Sequence, residues 1–160
     1  MNSRATSQRS QNALAVVLAA IIAGSLDLIF AFTFHGIMSH VWPMRILLSI
    51  ATGWFGAASM QGGAGIAAIG FFSHYGILLG ASAIYFAAAR AMPWLNRRPY
   101  LYGVVFGICI YAVMHLVVLP LSNAPAFKAT TIGTVADVLM HTLVIGPAIA
   151  LSLRRFAHRA

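Results

Sequence analysis

The chain has 160 residues, of which 61% are hydrophobic and only 8% are charged, and its formal net charge is +8. A soluble domain carries about a quarter charged residues, and a core of this size cannot hide so much apolar surface, so the composition indicates a membrane protein. The basic residues do not form the aromatic-interleaved cluster typical of nucleic-acid-binding proteins. We therefore expect the lipid bilayer, and no nucleic acid, as a partner.

The N-terminal part of the chain predicts a tail, one long helix and one short helix. Residues 1–12 are polar and are predicted to form a disordered tail. Residues 13–34 are an apolar run, which at about 1.5 Å per residue is long enough to cross a hydrocarbon layer of about 30 Å. The next apolar run, residues 46–60, follows Pro43 and is too short for a full span. It predicts a re-entrant or interfacial helix, and a fifth span stays the alternative.

Three further apolar runs are long enough to span, and they cover residues 66–89, 100–120 and 131–153. Residues 154–160 after the last run form a basic tail. The predicted fold class is therefore all-α. Its architecture is a polytopic membrane protein, with a four-transmembrane-helix bundle and one short helix in a single membrane domain over residues 13–153.

Glycine pairs with GxxxG spacing occur in the second and third long runs. This spacing is typical of transmembrane helices whose backbones approach another helix closely. We predict that both pairs lie at helix–helix contacts, within the chain or against another copy or another membrane protein: Gly76 with Gly80, and Gly103 with Gly107.

Basic residues at the ends of the runs predict the orientation. With four spans, eight of the ten basic residues fall on one side, and the other side has only Arg45 and Lys128. The positive-inside rule then places both termini in the cytoplasm. The eight residues on the cytoplasmic side are Arg4, Arg9, Arg90, Arg97, Arg98, Arg154, Arg155 and Arg159.

Both acidic residues and three of the six histidines lie inside the long apolar runs. Counted from the external end of each run, these five residues lie about 8 to 15 Å deep. An ionisable group at this depth usually faces protein or a water-filled cavity. We predict a buried polar layer in the outer half of the membrane, called here the Asp/His layer: Asp27, His74, His115, Asp137 and His141.

Asp137 and His141 are four residues apart and share one helix face, where a carboxylate can fix the imidazole tautomer. The ordinary interpretation of each residue is a neutral hydrogen-bonding group. Metal binding has little support, since the chain has no HExxH motif, and a haem between facing histidines is a weaker alternative. No elbow sequence marks a nucleophile. We expect no cofactor, and the sequence favours a non-enzymatic role.

Three short motifs carry a family resemblance: GSLD at Gly24–Asp27, RILLS at Arg45–Ser49 and HLVVLPLS at His115–Ser122. Together they resemble small, uncharacterised bacterial inner-membrane proteins of the YagU-like group. The resemblance implies a location in the bacterial inner (cytoplasmic) membrane. It assigns neither a function nor a catalytic residue.

Three hypotheses for the function follow. The first, favoured by the composition and the glycine pairs, is an accessory or scaffold helix bundle that binds other membrane helices. The second is movement of protons or a small solute, or sensing of pH, through the Asp/His layer. The third is a haem- or metal-binding redox protein. The Asp/His layer decides between the first two, because only the second needs its five side chains to meet.

Overall fold

The computed structural model describes residues 2–126 and 130–157, and the side chains of residues 6–126 and 130–157. Within those ranges the chain consists of helices and connecting turns, without a β-strand. The all-α class is confirmed. Among the described residues, four helices are long and apolar enough to cross a membrane, as the four apolar runs predict.

We number the helices in chain order, with α4 and α5 each taken as one continuous helix. Two short 3₁₀ segments accompany them, Gly56–Gln61 after α2 and Pro93–Asn96 between α3 and α4. The helices are α1 (Asn2–Ser39), α2 (Pro43–Phe55), α3 (Ala64–Ala91), α4 (Pro99–Leu121) and α5 (Thr131–Phe156).

Helix α1 corrects the predicted disordered tail, because it begins at Asn2 and continues into the first apolar run without a break. The first 23 residues contain no glycine or proline to interrupt a helix. Adding turns to an existing helix costs far less than starting a new one. At its other end α1 stops at Ser39, where His40 adopts a left-handed backbone with φ of 51°.

The short helix α2 begins at Pro43, three residues before the predicted start. Proline suits the first helical turn, where its missing N–H is not needed. α2 is not among the helices long enough to span. It packs on α3 at Gly70, where a side chain would collide with the Leu47 carbonyl group, so glycine allows the two backbones to touch.

Helices α4 and α5 each contain one π-helical turn, Met114–Val118 and His141–Ile145. Each turn ends two residues before a proline, Pro120 in α4 and Pro147 in α5. A proline cannot donate the usual backbone hydrogen bond, and it crowds the carbonyl group four residues earlier. Widening the preceding turn relieves this conflict. The two prolines thus account for π turns that contain two histidines of the Asp/His layer.

Helix α1 lies between α3 and α5, and α4 packs on the other side of α5. The buried face of α1 carries alanines at positions 15, 19, 20 and 23, and these small side chains let the neighbouring helices approach. Opposite them, Ile145 and Ile149 of α5 are almost completely buried. Every long helix therefore reaches the interior, and each can contribute side chains to one site.

The structure extends the predicted ends of the long helices by a few residues. α5 continues through Arg154 and Arg155, which the sequence assigned to the basic tail. Lys128, residues 158–160 and the side chain of Arg4 lie outside the described residues. The predicted orientation, which depends partly on them, stays a prediction.

Candidate functional site

The structure brings the five residues of the Asp/His layer together in two groups of ion-pair contacts, Asp27 with His74 and Asp137 with His115 and His141. Asp27 Oδ2 lies 3.9 Å from His74 Nδ1. Asp137 Oδ1 lies 3.2 Å from His141 Nδ1, and Asp137 Oδ2 lies 3.6 Å from His115 Nε2. Each carboxylate therefore has at least one imidazole as its neighbour.

The contact between Asp27 and His74 depends on a glycine of α1. His74 Nε2 lies 3.0 Å from the Gly24 carbonyl oxygen. A Cβ on Gly24 would come within 3.5 Å of this ring nitrogen and 2.9 Å of the Tyr75 ring. Glycine at position 24 therefore lets the imidazole bind directly to the backbone of α1, one turn from the Asp27 carboxylate.

The hydrogen bond to Gly24 determines which nitrogen of His74 carries hydrogen. A carbonyl oxygen only accepts, so Nε2 must donate. In a neutral ring Nδ1 is then a lone-pair acceptor, and it faces an oxygen of Asp27. An ionised carboxylate and an unprotonated ring nitrogen repel each other, and one additional proton, on either group, removes the repulsion.

His115 repeats this arrangement on α4. Its Nδ1 lies 3.0 Å from the Tyr111 carbonyl oxygen and therefore donates, which leaves Nε2 facing Asp137 Oδ2. The ring also stacks on the Tyr111 side chain, with centroids 4.0 Å apart. At this second contact of the layer too, binding one proton to the imidazole or to the carboxylate removes a repulsion.

His141 completes the group around Asp137. Its Nδ1 lies 2.9 Å from the Asp137 carbonyl oxygen as well as close to the Asp137 side chain. Its ring meets Tyr111 edge-on at 5.9 Å. The Asp/His layer therefore consists of two contact groups, one between α1 and α3 and one between α4 and α5.

Exposure changes across the Asp/His layer. The side chains of His74 and Asp27 are 9% and 19% exposed, whereas those of His115 and Asp137 are 38% and 36% exposed. The layer is thus enclosed at α1 and α3, and it opens to the surroundings of the bundle at α4 and α5. Of the five residues predicted to be buried, His74 is buried, Asp27, Asp137 and His141 are half-buried, and His115 is exposed.

Close contact between α4 and α5 positions His115 and Asp137. A Cβ on Gly107 would meet the backbone of His141 and Thr142, at 2.8 Å from the Thr142 Cα. A Cβ on Gly103 would lie 2.6 Å from the Pro147 Cα. Both glycines are buried. Here the predicted helix–helix contact is present, and glycine is what allows it.

The other glycine pair corrects the prediction. Gly76 and Gly80 on α3 are exposed, and a Cβ at either position would meet nothing within 4 Å among the described residues. α3 turns its buried face, which includes His74 and Leu78, toward α1 instead. The GxxxG pattern indicates that a helix has a face of small residues. It does not indicate whether that face packs against another helix of the same chain.

A hydrogen-bonded bridge fixes α2 beside the enclosed part of the layer. The Trp54 indole Nε1 donates to the Ser73 hydroxyl at 2.8 Å, and Ser73 is the residue next to His74. Asn123, after α4, donates from its side chain to the Trp54 carbonyl oxygen at 2.8 Å. The short helix is therefore linked to both α3 and the segment that follows α4.

The sequence missed the roles of Tyr111 and of the hydroxyl pair Ser25 and Tyr75, whose oxygens are 2.9 Å apart. The four-residue spacing of Tyr111 and His115 was the available signal for the role of Tyr111.

For metal binding, no group of three or more His, Cys, Asp or Glu side chains with suitable geometry occurs among the described residues. The expectation of no cofactor stays a prediction.

Comparisons with known proteins add nothing to this geometry. The resemblance to the YagU-like proteins therefore stays a prediction from three short motifs, and the described site has to be interpreted from its own chemistry. No protein-family model, no curated protein and no solved structure matches the chain.

Proposed function

We propose that the protein is a multi-pass membrane protein whose Asp/His layer takes up and releases protons as the pH of the adjoining aqueous phase changes. One observation carries the proposal. His74 and His115 each donate one ring nitrogen to a backbone carbonyl oxygen, and each turns the other ring nitrogen toward a carboxylate. Each contact is repulsive when the carboxylate is ionised and the ring is neutral, and binding one proton to either group removes this repulsion.

The surroundings strengthen this preference. In a low-dielectric interior, electrostatic attraction and repulsion are both larger than in water. A carboxylate that stays charged at membrane depth costs at least about 2.5–3.5 kcal/mol, even on the mildest scale. Binding a proton to the pair, as a neutral acid or as an imidazolium beside a carboxylate, lowers this cost. Protonation of the layer is therefore coupled to the arrangement of its helices.

The more exposed contact, between His115 and Asp137, is the entrance for protons in this proposal. It is the part of the layer open to the surroundings, whereas the contact between Asp27 and His74 is enclosed. The basic residues favour cytoplasmic termini, which would place the entrance on the external side. The family resemblance favours the bacterial inner membrane.

A second candidate is the accessory or scaffold bundle, and the exposed Gly76 and Gly80 favour it. A helix face that carries glycines can accept another membrane helix at close range. None of the described residues packs against Gly76 or Gly80. The two candidates are separable, since a scaffold does not need the Asp/His layer to bind protons.

Trp54 provides a direct test, because its indole is hydrogen-bonded to the residue beside His74. Replacing the two other tryptophans, Trp42→Phe and Trp94→Phe, leaves it as the single fluorescent reporter. In lipid nanodiscs, we expect its emission to change sigmoidally as the pH falls from about 8 to about 5, the range where imidazoles titrate.

Asp27→Asn keeps the size of the side chain and removes its proton site, so it should abolish this change while circular dichroism stays helical. His35→Gln is the matched control, since His35 lies on the same helix outside the layer, against Phe34, and its response should equal that of the parent. Emission independent of pH in the parent, or an unchanged curve in Asp27→Asn, would reject the proposal.

A further inference from the structure

The buried face of α3 continues from His74 past Leu78 to two hydroxyl groups, those of Ser82 and Tyr85. Ser82 is 0% exposed and Tyr85 is 3% exposed. Neither Ser82 Oγ nor Tyr85 Oη has a hydrogen-bond partner among the described residues. The two residues are three apart, so they lie on neighbouring positions of the same helix face.

Buried hydroxyl groups are nearly always hydrogen-bonded, and each exception requires an explanation. A serine inside a helix commonly bonds back to a carbonyl oxygen of the preceding turn, and Ser82 does not. The Tyr85 ring packs against Phe106 of α4, with centroids 5.0 Å apart, which holds its hydroxyl inside the bundle. A buried water is the partner that such a hydroxyl group commonly takes in a protein interior.

An apolar barrier separates these hydroxyls from the Asp/His layer. Ser82 is eight residues beyond His74, or about 12 Å along the helix axis. Between them lies Leu78, which is 5% exposed, and across the bundle Ile145 and Ile149 are 1% and 0% exposed. Apolar side chains at a constriction can open or close a path for water by wetting and drying.

We propose that Ser82 and Tyr85 are a second proton-carrying station, that Leu78 closes the path between this station and the Asp/His layer, and that the protein conducts protons across the membrane. This inference rests on the proposed function of the Asp/His layer. At each hydroxyl a proton arrives on the oxygen from one side and the original hydrogen leaves on the other. One O–H bond forms as one breaks, and no oxidant or reductant is required.

The test is proton flux into vesicles of phosphatidylethanolamine and phosphatidylglycerol that contain a pH-sensitive dye, driven by a potassium gradient with valinomycin. The full chain should acidify the vesicles faster than empty vesicles do. Tyr85→Phe and Ser82→Ala should each slow the flux by about a hundredfold or more, the lower end of the usual contribution of a proton-transfer group. Leu78→Ala should raise the flux. Tyr102→Phe is the matched control, because Tyr102 lies on α4 and packs against Trp94, and it should conduct like the parent.

Flux equal to that of empty vesicles, or Tyr85→Phe and Ser82→Ala variants that conduct like the parent, would overturn the inference. If Tyr85→Phe does not fold, Ser82→Ala and Leu78→Ala decide the question by the same measurement. The Trp54 titration reports the Asp/His layer separately. A protein that titrates there and conducts nothing would keep the proposed function and lose this one.

Discussion

Helices α3 and α4 each carry a glycine pair with the same spacing. Among the described residues, only the pair on α4 lies at a contact with another helix. Gly103 and Gly107 lie against the backbone of α5, whereas Gly76 and Gly80 face outward, with no described residue within 4 Å of an added Cβ. The two pairs cannot be distinguished by their spacing. The difference lies in the opposite helix, because α5 presents its own Gly146 where α4 crosses it.

Close helix packing at glycines positions the histidines of the Asp/His layer. The contact at Gly107 places His115, two turns further along α4, within 3.6 Å of Asp137. A glycine outside any GxxxG pair does the same on the other side of the bundle, where Gly24 accommodates the ring of His74. The glycines that determine the positions of His115 and His74 are therefore Gly107 and Gly24. The exposed pair on α3 remains available for contact with another helix.

The largest effect is expected from Gly107→Leu. The new side chain would collide with backbone atoms of His141 and Thr142, which cannot move aside as a flexible side chain can. We expect it to lower the free energy of unfolding by about 3 kcal/mol, the upper part of the usual range for overpacking. Thermal unfolding in detergent measures this. The Trp54 response to pH should also weaken, because His115 is moved from Asp137. An unchanged melting temperature would contradict the packing account.

A smaller effect is expected from Gly24→Ala. The added methyl group would lie 2.9 Å from the Tyr75 ring and 3.5 Å from His74 Nε2, and both are side chains that can shift. The strain of about 1 kcal/mol is offset by the better helix propensity of alanine, also about 1 kcal/mol. We expect a melting temperature close to that of the parent and a Trp54 response with an altered midpoint. A response identical to that of the parent would contradict the close fit of the His74 ring against residue 24.

The smallest effect on stability is expected from Gly76→Leu, the counterpart of Gly107→Leu on α3. Because none of the described residues lies within 4 Å of a Cβ added at Gly76, the free energy of unfolding should change by less than about 0.5 kcal/mol, as is usual at exposed sites. Chemical cross-linking in native membranes measures its association with other helices. Loss of a cross-linked species would support the scaffold candidate. A large loss of stability in the monomer would break the comparison between the two pairs.

Much of this architecture can be predicted from the sequence, because lipid imposes simple rules. Apolar runs longer than about 20 residues must span or be buried, and ionisable residues inside them must face protein or water. These rules place Asp27 and His74 at a common depth. The four-residue spacing of Asp137 and His141 gives their contact directly.

The remaining features of the structure could not be predicted from short stretches of sequence. The contact between Asp27 and His74 joins residues in different helices, and it follows from which helices become neighbours. The π turns at His115 and His141 required recognition that Pro120 and Pro147 would widen the turns before them. The helical start of α1 was missed because polar composition says little about a segment that extends an existing helix.

Nitrogen NMR of the histidine rings tests most directly whether the imidazoles and carboxylates of the Asp/His layer bind and release protons together. His35→Gln, His40→Gln and His158→Gln leave His74, His115 and His141 as the only labelled rings. In lipid, we expect the signals of His74 and His115 to change together between about pH 8 and pH 5. Asp27→Asn should alter His74 most, and Asp137→Asn should alter His115 and His141 most. Signals that stay constant over this range, or that do not respond to either substitution, would contradict the account.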